Sequence, residues 1–343
     1  MYTTRQGRRR GELTVATIAR LAGVSSPTVS KVLNGRSGVA TDTRRRVEEL
    51  LVEHGYRRPD AISPAAVLEV VFYSLQGHRA LEVMRGVEGI AKDRELAVGF
   101  SEIRGRDLGR RGWLEQVLAR RPTGVIGACV QFTPDDQARL AASAIPLVAL
   151  GPTAEPLHST PSVGATNRAG GGAAAQHLLD LGHRRIAMIG GPDTYLCAQA
   201  RLAGVRSALA AAGVPLDPAL LRVGRYSFED GRTAARALLS TPARPTANIC
   251  ADDLQALGVY EAAREIGLRV PRDLSVVGFD DAEYARWAGP PLTTVRQPLA
   301  EMGATAARLV LALGRGERPL HPRTELPTTL VVRDSTAPPP RVP

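Results

Sequence analysis

Between residues 67 and 279, seven short apolar runs are separated by longer amphipathic stretches, and this alternation limits the possible folds of the 343-residue chain more than any other feature. The runs are VLEVVF (67–72), LAVGF (96–100), TGVIGACV (123–130), PLVAL (146–150), RIAMIG (185–190), TANICA (246–251) and LSVVGF (274–279). Helical spacing of apolar residues predicts helices over 79–93, 110–121, 168–182, 198–213, 229–240, 253–267 and 298–313. The runs are apolar at successive positions rather than at every second one, so each strand is to be buried on both faces. Strands of that kind, joined through helices, form parallel sheets wound by right-handed crossovers. More than about eight strands would strain one open sheet, so two sheets are expected in an α/β fold.

The N-terminal segment has a different texture. Residues 1–58 hold 12 Lys/Arg against 5 Asp/Glu, a net of +7, whereas the remaining 285 residues hold 32 against 29, a net of +3. A short cationic segment on a near-neutral body is the footprint of a nucleic-acid module carried by a separate domain. Residues 1–12 are Arg-rich and aperiodic and are expected to be a disordered basic arm. Thr14 suits the N-cap of a first helix, Ile18, Ala19, Leu21 and Ala22 give it helical spacing, and Gly23 ends it. Ser25 can cap a second helix, with Pro27 in the first turn, where a missing N–H costs nothing, and Val29, Val32 and Leu33 on the apolar face. Asn34-Gly35 ends this helix, and a third is predicted from Thr41 or Asp42 to His54 around Val47, Leu50 and Leu51.

Residues 13–57 therefore read as an all-α unit with a helix-turn-helix centred on Ala22-Gly23-Val24-Ser25. Its second helix is expected to turn Ser26, Pro27 and Lys31 outward at one-turn spacing. Lys31 suits donation to guanine O6/N7, Ser26 can bond either way and Pro27 can pack on a thymine methyl. Thr14, Thr28, Ser30 and Asn34 suit phosphate contacts, which set position and not sequence. Residues 58–66 read as a linker, because their prolines and small side chains cannot sustain a long helix. The Pro-rich tail 336–343, TAPPPRVP, cannot be helical and supplies no coiled coil.

Several function classes are disfavoured. Cys129, Cys197 and Cys250 are odd in number and widely spaced, so they read as small core residues. The histidines, His54, His78, His158, His177, His183 and His321, have no ligand spacing, and no metal is expected. Gly170-Gly171-Gly172 lacks the residues of a phosphate loop, and no G-x-S-x-G elbow is present. Asp252-Asp253 and Asp280-Asp281 are adjacent in sequence, which does not set two carboxylates across a glycosidic bond. Neither a cofactor nor an enzymatic activity is expected. No run reaches the ~18 apolar residues of a spanning helix, and no apolar stretch follows the basic N-terminus, so a cytoplasmic protein without a membrane partner is expected.

TVATIARLAGVSSPTVSKVLNG (14–35), followed by TRRRVEELLVEHGY (43–56), resembles the headpiece of the LacI family of bacterial transcription regulators. The rest of such chains is similar to periplasmic sugar-binding proteins. Family-like segments recur at Asn167-Arg168-Ala169-Gly170, LGHRRIAMIGG (181–191), RLAGV (201–205), DDLQALGVYEAAREIGL (252–268), VPRDLSVVGFDD (270–281) and PPLTTVRQPLAEMG (290–303). The segment RWAGPPLTTVRQPL (286–299) is most similar to actinobacterial members that answer to plant-derived sugars, of xylose and β-glycoside type.

The resemblance implies a homodimeric repressor that binds near-palindromic double-stranded operator DNA and is released by a small sugar. It places Tyr56 with Ser25 and the other headpiece residues in the DNA-contacting set. It implies an effector-binding and dimerisation domain over 67–335, split into subdomains of roughly 67–163 with 296–323 and 164–295 with 324–335. Their facing strand ends would hold the effector. Arg201 of RLAGV would bind hydroxyls or a ring oxygen, and Asp280, the first acid of GFDD, would accept from two hydroxyls. Tyr226 or Phe228 would cover the apolar face of a sugar ring, Gln297 of VRQP would reach the ligand, and Tyr73 and Leu75 would line the opposite wall.

The chain departs from the family pattern in places. Asp252-Asp253 stands where many members have Asn-Asp, which adds a carboxylate, suits a polyol and opposes an anion. Gly151 lies where some members place an acidic ligand residue. Pro59, Ser63 and Pro64 interrupt the segment where related repressors have a hinge helix whose leucine wedges into the minor groove. Two other readings stay open: a DNA-binding regulator with a non-sugar effector such as a purine, and a sugar-binding protein or enzyme with a vestigial headpiece.

Overall fold

The computed structural model describes residues 15–33, 39–53, 65–75, 77–103, 108–154 and 160–340. Thr14, Asn34, Tyr56, the basic arm and linker residues 58–64 lie outside the described residues. The chain divides into two units, residues 1–63 and 64–343.

The first unit contains α1 (Val15–Ala22), α2 (Ser26–Leu33) and α3 (Thr41–Glu53). Ile18, Ala19, Ala22, Val29, Val32 and Val47 form its core, with Val24, Val39, Leu50 and Leu51 packed against them. Gly23 has φ +67°, a conformation that only glycine adopts freely, and this lets the chain turn between α1 and α2. Ser25 caps α2 by accepting from the Thr28 N–H at 3.3 Å.

The second unit begins with β1 (Ala65–Phe72), α4 (His78–Lys92), β2 (Ala97–Glu102), α5 (Leu108–Arg120), β3 (Pro122–Ala128), α6 (Pro134–Ala142), β4 (Leu147–Leu150) and β5 (Ser162–Ala165). It continues through α7 (Asn167–Asp180), β6 (Ile186–Gly190), α8 (Leu196–Ala211), β7 (Leu221–Val223), α9 (Phe228–Leu239), β8 (Ala247–Cys250), α10 (Asp253–Glu265), β9 (Ser275–Asp280) and β10 (Thr293–Arg296). The last elements are α11 (Leu299–Gly314), β11 (Arg323–Leu326) and β12 (Thr329–Val331).

Among the described residues two six-stranded sheets result, in the orders β11-β5-β4-β3-β1-β2 and β12-β10-β9-β8-β6-β7. All pairings are parallel except that of β12 with β10. The unbroken apolar runs are explained by neighbouring residues that bury on opposite faces. Val70 joins the cluster under α4 and α11, while Val71 joins the cluster with Trp113 and Leu114 of α5. Val277 likewise packs with α7 and α8, and Val276 with α9 and α10.

All seven predicted runs are strands. Five more strands, β5, β7, β10, β11 and β12, and the helix α6 extend the prediction. The chain passes between the sheets after β5, after β10 and after β11, one to three residues later than expected. β1 starts at Ala65, so the last two residues assigned to the linker belong to the sheet.

The boundary at residue 335 also moves. Ser335 is fully buried, Thr336 Oγ1 bonds His177 Nε2 at 2.9 Å, and the Ala337 N–H donates to Ser275 Oγ at 3.0 Å. The start of the Pro-rich segment is therefore part of the body.

Helices α7 and α8 pack backbone to backbone. A Cβ on Gly171 would lie 2.2 Å from the carbonyl oxygen of Arg201, and one on Gly204 would lie 1.9 Å from that of Arg168. Glycine at both positions permits this approach and brings Arg201 against the second sheet.

Candidate functional site

In the first unit, α2 exposes Ser26, Pro27, Ser30 and Lys31, two pairs at helical spacing, beside an exposed Ser25. Thr28 is half-buried, and its hydroxyl pairs with Ser25 Oγ at 2.9 Å. Arg20 on α1 and Arg45 and Arg46 on α3 are exposed as well. The outward face expected of a recognition helix is therefore polar and carries the cationic Lys31.

In the second unit, the polar side chains converge where the strands of the two sheets end. Asp280, the last residue of β9, is buried and has φ +109°, a strained conformation for a non-glycine residue. Such strain costs of order 1–3 kcal/mol and persists where surrounding contacts over-determine it, commonly at functional sites. Here those contacts are plain: Asp280 Oδ1 accepts from Gln297 Nε2 and faces Arg201 Nη2 at 3.6 Å, and Oδ2 accepts from Arg79 Nη1 at 3.3 Å. Arg201, brought in by the α7–α8 packing, donates from Nε to Asn167 Oδ1 at 2.9 Å and from Nη1 to the Ala251 carbonyl. Its guanidinium lies 3.7 Å over the Phe279 ring.

Asp252 Oδ1 accepts from the Gln255 N–H at 2.8 Å and caps α10. Burial and then the Asp280 charge raise its carboxyl to about 7, against the opposing pull of Arg201 and Arg79. Asp253 is fully buried, accepts from the Ala282 N–H at 2.7 Å and from Thr294 Oγ1, and is also pushed up by burial. Asp252 is thus a group with access to both protonation states near neutrality, whereas Asp253 pins the loop after β9.

Tyr226, at φ +63°, places its hydroxyl 3.6 Å from Cys197 Sγ and its ring 6.3 Å from that of Tyr195. Burial drives its phenol up. Tyr73 is exposed at the end of β1, and Tyr195 is raised by burial and then by neighbours that include Tyr73. Two expected site residues stand apart from this cluster. Leu75 packs against the hydrophobic core of the first sheet, and its N–H donates to Glu102 Oε1 at 3.0 Å. Phe228 opens α9 with an exposed ring.

Sequence reasoning missed Arg79 and His78, the first residues of α4. Arg79 reaches Asp280 from the other subdomain, and His78 meets the Tyr284 ring edge-on at 5.8 Å. The cysteines also need correcting. Cys250 is buried, but Cys129 and Cys197 are only partly so, and Arg79 Nη2 lies 3.8 Å from Cys129 Sγ. Among the described residues, no group of three His, Cys, Asp or Glu is placed to hold a metal ion, and no helix is long and apolar enough to cross a membrane. An open trough of 1470 Å³ over α7 and α8, floored by small residues such as Gly172, Ala173 and Ala203, does not include Asp280 or Arg201.

Comparison with known proteins accords with both halves. Residues 14–59 match the family model described as bacterial regulatory proteins, lacI family, and residues 175–336 match a periplasmic binding protein-like domain. The HTH-type transcriptional regulator MalR of Streptomyces coelicolor is 32% identical, over 94% of this chain and 96% of that protein. The structure of a transcriptional regulator CelR–cellobiose complex matches with a TM-score of 0.74 and 31% identity, over 94% of this chain and all of the other. The lac repressor dimer bound to operator and an anti-inducer matches with a TM-score of 0.70 and 30% identity, over 95% and 99% of the two chains. A cationic three-helix headpiece, two wound sheets meeting at a polar cluster, and relatives that span almost the whole chain lead to one assignment: this protein belongs to the LacI family of bacterial regulatory proteins and is a transcription regulator, not an enzyme.

Proposed function

We propose that the protein is a cytoplasmic, homodimeric repressor that binds a near-palindromic operator and is released by a small sugar. The observation that carries the effector half is the Asp280 cluster, in which a buried carboxylate, Gln297 and Arg201 stand together at the strand ends. That donor and acceptor set suits vicinal hydroxyls. Tyr226 and Tyr195 beside it offer apolar ring faces. A sugar bound there changes the angle between the subdomains and moves the headpieces off the half-site spacing. The cellobiose complex of a relative and the likeness of segment 286–299 support an effector of xylose, xylo-oligosaccharide or β-glycoside type.

Ser25, Ser26, Pro27, Thr28, Ser30 and Lys31 are the proposed described contacts to DNA, joined by Thr14, Asn34 and Tyr56 outside the described residues. Titration calorimetry of the full-length protein with xylose, xylobiose, cellobiose and purines tests the effector reading. Saturable binding of a sugar that Asp280→Asn abolishes is the expected result. A purine that binds when every sugar fails would overturn it.

A further inference from the structure

Two guanidinium groups, Arg79 and Arg201, converge on one carboxylate. Arg201 Nη2 is buried, stands 3.6 Å from Asp280 Oδ1 and has no hydrogen-bond partner. Arg79 gives Nη1 to Asp280 at 3.3 Å and turns Nη2 toward the thiol of Cys129, while its side chain keeps 30% exposure.

Among the described residues, the other acids nearby are already engaged. Asp281 is already held between Arg296 at 2.7 Å and Arg333 at 2.5 Å. Glu82 pairs with Arg85 at 2.6 Å. Asp253 is closed off by Ala282 and Thr294, and burial favours its neutral form. Burial likewise favours neutral His78 and raises Asp252, whose Oδ1 is taken up by the Gln255 N–H at 2.8 Å. The N-terminus of α4, where Arg79 sits, has neither a side-chain cap nor an acid in its first turn, so the helix dipole adds to the positive potential.

Resting on the sugar-responsive reading above, but departing from its neutral sugars, we infer that the cleft takes a sugar bearing one carboxylate, a uronate or an aldonate, with Arg79 receiving the carboxylate and Asp280, Gln297 and Arg201 receiving hydroxyls. A planar guanidinium with unused N–H groups matches a carboxylate in a way a hydroxyl cannot. Arg79 thereby offsets the carboxylate that Asp252 adds, which taken alone speaks against an anion. A sugar phosphate carries up to two negative charges, and among the described residues Arg79 is the one partly exposed guanidinium that reaches Asp280.

The test is calorimetric titration of the full-length protein with glucuronate, gluconate, glucose, xylose and glucose 6-phosphate, repeated on Arg79→Gln and Arg79→Lys. Wild-type protein is expected to bind one of the two acids at least about tenfold more tightly than either neutral sugar. Arg79→Gln should erase that preference, and Arg79→Lys should keep part of it. Equal or tighter binding of a neutral sugar by the wild type overturns the inference while leaving the sugar-responsive reading intact. So does an acid preference that survives Arg79→Gln, or glucose 6-phosphate binding more tightly than both acids. If none of these binds, and xylobiose and cellobiose fail as well, the sugar-responsive reading itself fails.

Discussion

Gly171 and Gly172 are neighbours on α7, yet the structure gives alanine at the two positions opposite consequences. A methyl group on Gly171 would lie 2.2 Å from the carbonyl oxygen of Arg201 and 3.0 Å from its Cα, both backbone atoms that no rotamer change can move. Ordinary contact begins at 3.4 Å, so α8 must retreat by about 1.2 Å at the residue that holds Asp280. Overpacking of this kind costs about 1–3 kcal/mol, and the better helix propensity of alanine returns up to ~1 kcal/mol. A methyl on Gly172 meets nothing closer than 3.6 Å, so there only the propensity gain remains. The propensity gain is common to both, so the two variants should differ by the overpacking cost of about 1–3 kcal/mol, which in a domain of this size separates their melting temperatures by about 2 °C or more. Thermal melts followed by circular dichroism at one pH and protein concentration measure this directly. A Gly171→Ala protein that melts at or above Gly172→Ala would refute the close packing that positions Arg201.

Three further outcomes are expected. Lys31→Ala should relax operator sequence preference, whereas replacing Arg8, Arg9 and Arg10 together should weaken binding to all duplexes alike and flatten its salt dependence; competition titrations with matched and scrambled duplexes distinguish the two. Burial lowers the pKa of His183, whose ring nitrogens bond Thr246 and the Ala337 carbonyl at 2.9 Å. Its contribution is complete above the unfolded value of 6.5 and is lost as pH falls below it, so the melting temperature should drop between pH 7.5 and 5.5, and His183→Gln should reduce the drop. Ser335→Ala removes a buried hydroxyl that accepts from the Thr293 N–H at 2.8 Å and donates to the Val276 carbonyl at 2.6 Å; a loss of about 1–3 kcal/mol in urea titrations is expected.

What the sequence reveals follows from the length and chemistry of each element. Long apolar runs such as LSVVGF announce doubly buried strands, and their helices follow from spacing. β7 and β12 have three residues each, too short for any period to register, and β5, β10 and β11 lack the longer apolar runs that reveal the equally short β4 and β8. α6 did carry a signal: Thr133 and Asp136 form a capping box, with Pro134 at the first helical position. Glu69 illustrates the converse. It stands inside an apolar run yet is buried, because Ser101 and Arg120 bond its carboxylate.

At the site, Arg201, Asp280 and Gln297 were legible through family motifs, and the structure brings them into contact. Arg79 was not, because an arginine near a helix start reads as a solvated charge until the second sheet presents Asp280 to it. Cys129 and Cys197 were read as core for a similar reason. Their exposure depends on strand and helix ends that face the other subdomain.

The proposed regulation is a division of labour between a headpiece that reads DNA sequence and a cleft that controls it. Its most direct measurement is fluorescence anisotropy of labelled duplexes, selected by the full-length protein from a random pool, with and without the sugar found by calorimetry. Selection is expected to converge on a near-palindrome, scrambled duplexes to bind far more weakly at the same salt, and the sugar to release the selected duplex. Selected and scrambled duplexes that bind alike, or a selected duplex whose affinity the sugar leaves unchanged, would contradict that division.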